Sequence, residues 1–291
     1  MYNHAAKRSA RGHRAKLASI SLFLVIVESA AIAAQVPTAD PRDTTHAQKQ
    51  APFFTLKDGL LAGGFIGATV LMFPLDKRAA HSLQDSSTQA NRLFHHATTD
   101  VEIITSPGAY IIGGALYAAG KLGGSERLAD LGWHGTEAVL FSQGITTLLK
   151  GVVGRGRPFL SNGTDPGDYH FGKGFSSGDW SSFPSGHTST AFAAAAAVTN
   201  ETTRWWPRST WIVGPIMYAG ATSVGLSRMY HNRHWGSDVL LGAAIGTFSG
   251  RKIVQYVHGH PDNRLDRIIL GTKLVPDGHG GQLLMTSIPF P

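Results

Sequence analysis

Long apolar runs separated by short polar breaks dominate this chain, and most of the runs are long enough for helices rather than strands. The first within the main body, Gly59-Leu60-Leu61-Ala62 through Met72-Phe73-Pro74-Leu75, is an uncharged stretch of 17 residues. That is the short edge of the roughly 17–25 residues a membrane-spanning helix uses, and it suits a buried core helix equally. Residues 76–100 are polar with a helical pattern that places Leu83, Ala90, Leu93 and Phe94 on an inner face. The adjacent His95 and His96 face apart on a helix and read as solvated surface rather than a metal pair. Apolar helices are expected over 105–120 and 126–153, the second with Gly132 as a point where it can break. It stops at Gly154-Arg155-Gly156-Arg157-Pro158, where Gly and Pro end helices.

Residues 159–183 form a Gly-, Asp- and Ser-rich loop, and loops this long are often functional. Helices follow over 185–199, 209–228 and 235–256, with a kink expected at Pro215. The tail alternates. Arg267 to Val275, a turn over Pro276 to Gly281, and Gln282 to Phe290 read as a terminal β-hairpin. The expected class is all-α with that short hairpin at the end.

Composition sharpens this picture in three places. Charged residues make up only 15% of the chain, against roughly 25% in average soluble proteins, and 35 glycines fall largely within apolar runs, as tightly packed or membrane helices allow. Cysteine is absent, which excludes disulfides, thiolate metal sites and cysteine nucleophiles. The net charge of +7 is concentrated at the start, where Lys7, Arg8, Arg11, Arg14 and Lys16 face only Glu28; the other residues balance 21 basic against 18 acidic. So weak an excess does not point to nucleic acid. The basic cluster, the apolar run Leu17–Val27 and the small residues Ala31-Ile32-Ala33 read as an export signal over 1–34. Residues 35–50 read as a flexible linker, 51–258 as the main domain and 259–291 as the tail. No internal repeat and no nucleotide-binding glycine loop occur.

Candidate chemistry centres on Phe183-Pro184-Ser185-Gly186-His187-Thr188-Ser189-Thr190, a loop feeding an alanine-rich helix. Ser185 is a good N-cap, Gly186 allows close approach to the backbone, and the helix start offers unpaired amides and a partial positive charge to a phosphate-like anion. His187 adds a proton donor or acceptor at its edge. Two clusters flank this stretch. Lys150 and Arg157-Pro158 put two cations near one helix end. Ser227-Arg228, five residues, His234, three residues and Asp238 place an imidazole and a carboxylate one helical turn apart. The carboxylate can accept the Nδ1 hydrogen and leave Nε2 free to attack.

Together these residues resemble the type 2 phosphatidic acid phosphatase (PAP2) superfamily, which includes bacterial class A acid phosphatases and vanadium haloperoxidases. Its pattern, Lys-x6-Arg-Pro, Pro-Ser-Gly-His and Ser-Arg-x5-His-x3-Asp, is matched without substitution at Lys150 to Pro158, Pro184 to His187 and Ser227 to Asp238. The resemblance implies a PAP2-type helical bundle over about 55–258. It implies His234 as nucleophile, Asp238 as its orienting group and His187 as general acid/base. Lys150, Arg157, Arg228, Ser185 and the Gly186 amide would hold the phosphate, with no metal or other cofactor. His170, His231 and Arg233 lie near the motifs and match none of them; they are candidates for the substrate side. The activity implied is hydrolysis of phosphomonoesters or of diphosphates, lipid or soluble; the export signal adds the expectation of a periplasmic or membrane-associated protein with its site facing the periplasm or exterior. The alternative is a vanadium haloperoxidase, for which the chain is short.

Overall fold

Thr55 opens the first helix with a reciprocal cap: its Oγ1 accepts from Asp58 N, and Asp58 Oδ2 accepts from Thr55 N at 2.9 Å. The computed structural model describes residues 53–90, 105, 107–261, 263–276 and 282–285. The expected export signal, the linker, the His95–His96 pair, Leu93 and Phe94 lie outside these residues.

Among the described residues the helices are α1 (Leu56–Met72), α2 (Asp76–Gln84), the single turn α3 (Ser86–Gln89), α4 (Gly108–Gly123), α5 (Glu126–Val153), α6 (Gly186–Trp205), α7 (Val213–Tyr230), α8 (Gly236–Gly259) and α9 (Arg264–Ile269). Two short strands, β1 (Lys273–Pro276) and β2 (Gln282–Met285), pair antiparallel, Leu274 opposite Leu284. The architecture is an all-α bundle.

α6 forms its centre, packed against α5, α7 and most broadly α8. Its Ala193, Ala195, Ala196 and Ala197 are completely buried. The partner face of α8 carries Gly242, Gly246 and Gly250, spaced one turn apart. A methyl carbon at these positions would lie 2.5 Å from Ser185 O, 2.3 Å from Ser189 O and 2.5 Å from Ala193 O. Only glycine admits so close an approach of the two backbones. Because α6 and α8 run with their N-termini at the same end, this contact draws Ser185 onto the first turn of α8: Ser185 N donates to Asp238 O at 2.9 Å.

Several local expectations are revised. α5 runs unbroken through Gly132. A Cβ there would sit 2.3 Å from Tyr117 N, so the glycine serves close packing on α4 rather than a break. Pro215 causes no interior kink. α7 begins at Val213, which places the proline in the first turn, where its missing N–H has no carbonyl to meet. The buried face of α2 is Asp76 and Ala80; Leu83 is half-buried and Ala90, past α3, is exposed. Arg267 to Ile269 are helical rather than extended, because Asn263 Oδ1 caps α9 through Leu265 N and Asp266 N. The loop over 159–183 is ordered by 3₁₀ turns at Pro158–Ser161, Lys173–Phe175 and Gly178–Trp180.

Candidate active site

Gly154 ends α5 in the left-handed conformation (φ 59°), and a Cβ there would fall 1.8 Å from His170 O. The glycine therefore both turns the chain and lets the long loop fold back. His170 N donates to Gly154 O at 2.8 Å and Gly156 N to Asp168 O at 2.9 Å. Gly174 brings the loop equally close to Lys150 O. The loop thus covers the C-terminal end of α5, and Lys150 Nζ donates to Ser181 O at 2.5 Å. Arg157, just past the turn, donates from Nε to Gly178 O at 2.8 Å and from Nη2 to Ser181 Oγ at 3.2 Å.

The other wall is the start of α8. His234 is buried, and its Nδ1 lies 2.7 Å from Ser182 O. Asp238 Oδ2 is 3.5 Å from the same nitrogen. Asp238 is the expected acceptor of the Nδ1 hydrogen; the short partner is instead the Ser182 carbonyl. The carboxylate is otherwise engaged. Oδ2 accepts from Ser182 Oγ at 2.5 Å and Trp235 N at 2.8 Å, and Oδ1 accepts from Arg155 Nη1 at 2.6 Å. Asp238 thus holds Ser182, and Ser182 holds the imidazole.

Ser185 differs from its expected role as well. Its hydroxyl makes no cap to an α6 amide and instead accepts from Thr188 Oγ1 at 2.9 Å. The first-turn amides of α6 are left without that side-chain acceptor, the condition in which a helix start favours an anion. Gly186 lies against Lys150: a Cβ would be 3.4 Å from Lys150 Cε. Its carbonyl accepts from Gln143 Nε2 at 2.8 Å. His187 follows, half-buried in the same turn.

Electrostatics tie the cluster together. Burial, then the Arg157 and Arg228 charges, lower Lys150 to about 7 against the pull of Asp238. Burial also lowers Arg157, helped by Arg228 and Arg233. His234 is pushed down to about 3 by burial and by Lys150 and Arg157, with Asp238 opposing. Burial works to raise Asp238, but the Arg155 charge, the neighbouring His234 imidazole and the bond from Ser182 hold it near 2. Lys150, Arg157, Arg228, His234 and Asp238 therefore share one neighbourhood, charged so that the imidazole stays neutral beside cations. Arg233 borders it, stacked 5.4 Å from the Phe159 ring. His170 is occupied elsewhere, 3.1 Å from Asp168 Oδ1 and edge-on to Trp180. His231 Nδ1 lies 3.1 Å from its own helix carbonyl at Ser227.

Arg155 falls at one of the unspecified positions between Lys150 and Arg157 and is a named residue of none of the three motifs. It is completely buried and bonds Asp238 Oδ1, Ser237 Oγ (2.7 Å), Asp76 Oδ2 (2.9 Å) and Pro166 O (2.7 Å from Nη2). Asp76, whose Oδ1 accepts Ser237 N at 2.8 Å, ties the α1–α2 junction into the same network. The available signal was a second arginine between two glycines in an otherwise charge-poor helix end.

The helical bundle gathers these three motifs at one end. Residues 132–261 match the model of the PAP2 superfamily. It is 41% identical over 98 residues to the lipid A 1-phosphatase of Porphyromonas gingivalis; the match covers 33% of this chain and 21% of that protein. The chain thus spans about a fifth of the length of this relative. It is also similar to the crystal structure of a transmembrane PAP2-type phosphatidylglycerolphosphate phosphatase from Bacillus subtilis. That match has 19% identity and a TM-score of 0.31, over 65% of this chain and 96% of that one.

Proposed function

We propose that this protein is a phosphatase that cleaves phosphomonoesters or lipid diphosphates through a phosphohistidine on His234, using no metal for the chemistry. The observation that carries the reading is a neutral, buried imidazole beside three cations, Lys150, Arg157 and Arg228. His234 Nε2 attacks phosphorus while Nδ1–H stays on Ser182 O. The bond from phosphorus to the leaving oxygen breaks, and His187 gives that oxygen its proton. His187 then takes a proton from water, whose oxygen attacks phosphorus; the P–N bond breaks and inorganic phosphate leaves. The cations and the α6 amides stabilise the charge on the equatorial oxygens, which is most of what phosphoryl transfer asks of a protein.

A lipid phosphate is the favoured substrate class, with the protein at a membrane and the site outside the cytoplasm. The similarity to a lipid A 1-phosphatase supports this, as does the exposed apolar face of α1 at Leu60, Ile66, Val70 and Leu71. The stretch from α1 through α2 is the one candidate membrane span among the described residues. The test is His234→Ala, assayed on p-nitrophenyl phosphate, phosphatidic acid and isoprenyl diphosphates. Turnover is expected to vanish on every substrate the wild type accepts. Rapid quench with 32P-labelled substrate should leave acid-labile label on the wild type alone. Unaltered turnover in the variant rejects the nucleophile assignment.

A further inference from the structure

At the end of the bundle away from His234, four helices converge on a second polar cluster. Sixteen residues separate His134 from Lys150 on α5, about 24 Å of helix at ~1.5 Å per residue. Glu201 of α6 is completely buried. Its Oε1 lies 2.5 Å from His134 Nδ1 and 2.9 Å from His258 Nε2 of α8. His134, itself 2% exposed, directs its other nitrogen elsewhere: Nε2 has no hydrogen-bond partner among the described residues and lies 3.7 Å from Asp266 Oδ2 of α9. Glu137, one turn along α5 from His134, has its Oε2 equally buried and without a partner. His134, Glu137 and Asp266 each bring a ligand atom within 4.8 Å of the others.

We propose that His134 Nε2, Glu137 and Asp266 form a site for one divalent first-row metal ion such as Zn2+, structural in role and separate from the phosphate site. Three features argue for it. A buried imidazole nitrogen and a buried carboxylate oxygen are each left unsatisfied, which is unfavourable unless something fills the space between them. The opposite face of the imidazole is held by Glu201, and a histidine ligand characteristically donates its second N–H to a carboxylate. Finally, four carboxylates, Asp130, Glu137, Glu201 and Asp266, meet here around two histidines, His134 and His258, an excess of acidic groups. A +2 ion offsets that excess. One imidazole and two carboxylates are a set that Zn2+ accepts, with room for water as a further ligand. Asp266 comes from α9, so the ion would fasten the tail to the bundle.

A proton on Nε2, making an imidazolium between Glu201 and Asp266, is the competing way to satisfy that nitrogen, and the experiment separates the two. The full-length protein is stripped with chelator and titrated with Zn2+ by calorimetry, and its melting temperature is followed with and without the ion. One equivalent is expected to bind and raise the melting temperature, and Glu137→Gln and Asp266→Asn should each weaken binding at least tenfold. Absence of saturable one-to-one binding by the wild type overturns the proposal, as does binding that both variants retain. The two substitutions lie on different helices, so a fold lost in one leaves the other to decide, and the wild-type titration stands by itself. Turnover plays no part in the readout, so failure here leaves the phosphatase reading untouched.

Discussion

Replacing Arg155 with lysine should damage both the fold and the site, by amounts that follow from its bonds. The guanidinium fork reaches Asp238 with Nη1 and Asp76 with Nη2, at 2.6 and 2.9 Å, and both carboxylates are completely buried. A lysine ammonium is a single point and can serve only one of them well. One carboxylate is then left charged and buried without its partner, a loss worth about 3–5 kcal/mol. For a domain of this size each kcal/mol shifts the melting temperature by ~2–4 °C, so Arg155→Lys should melt roughly 6–20 °C lower. Activity should fall further than stability explains, because Asp238 holds Ser182 and Ser182 holds His234. A displacement of about 1 Å there can cost ~100-fold in rate. Thermal melts and p-nitrophenyl phosphate kinetics of the refolded variant measure the two effects. Adding Asp76→Asn should restore part of the lost stability, since it removes one of the stranded charges. A variant that melts within 2 °C of wild type and keeps its kcat would show that the four-residue network does not support the site.

Two other outcomes are expected. Lys150, lowered to about 7, is charged below neutral pH and loses its charge above it, so KM for a phosphate ester should rise as pH passes through 7 while kcat changes less; a KM that stays flat from pH 6 to 8.5 would refute this. Gly246→Val places carbon 2.3 Å from Ser189 O and should cost at least the ~1–3 kcal/mol of an overpacked core, read by urea unfolding; unchanged stability would mean that α6 and α8 are not locked where they cross.

Much of this arrangement can be read in the chain, for reasons that differ from part to part. Lys150, Arg157, His187, Arg228, His234 and Asp238 stand out because charge is scarce and the chemistry demands those residue types. Arg155 does not, because nothing in its immediate neighbours says that it points inward to carboxylates 79 and 83 positions away. Gly132 and Pro215 look like helix breakers because local propensity sees only the backbone cost. Packing on Tyr117 and a place in the first turn reverse their meaning. The hydrophobic alternation near Arg267 suggests a strand, and the Asn263 cap overrides it. His134, Glu137 and Asp266 were invisible as a group because α9 reaches them only through the fold.

The row of glycines at Gly242, Gly246 and Gly250 acts as a set of gear teeth against α6. Sliding one helix past the other by a single residue would shift Ser185 relative to Asp238 by about 1.5 Å, and the teeth forbid intermediate settings. The alignment of Ser185 with Asp238 is thus indexed by the core beneath them. Sequence drift in the loops above can proceed while that ratchet stays engaged.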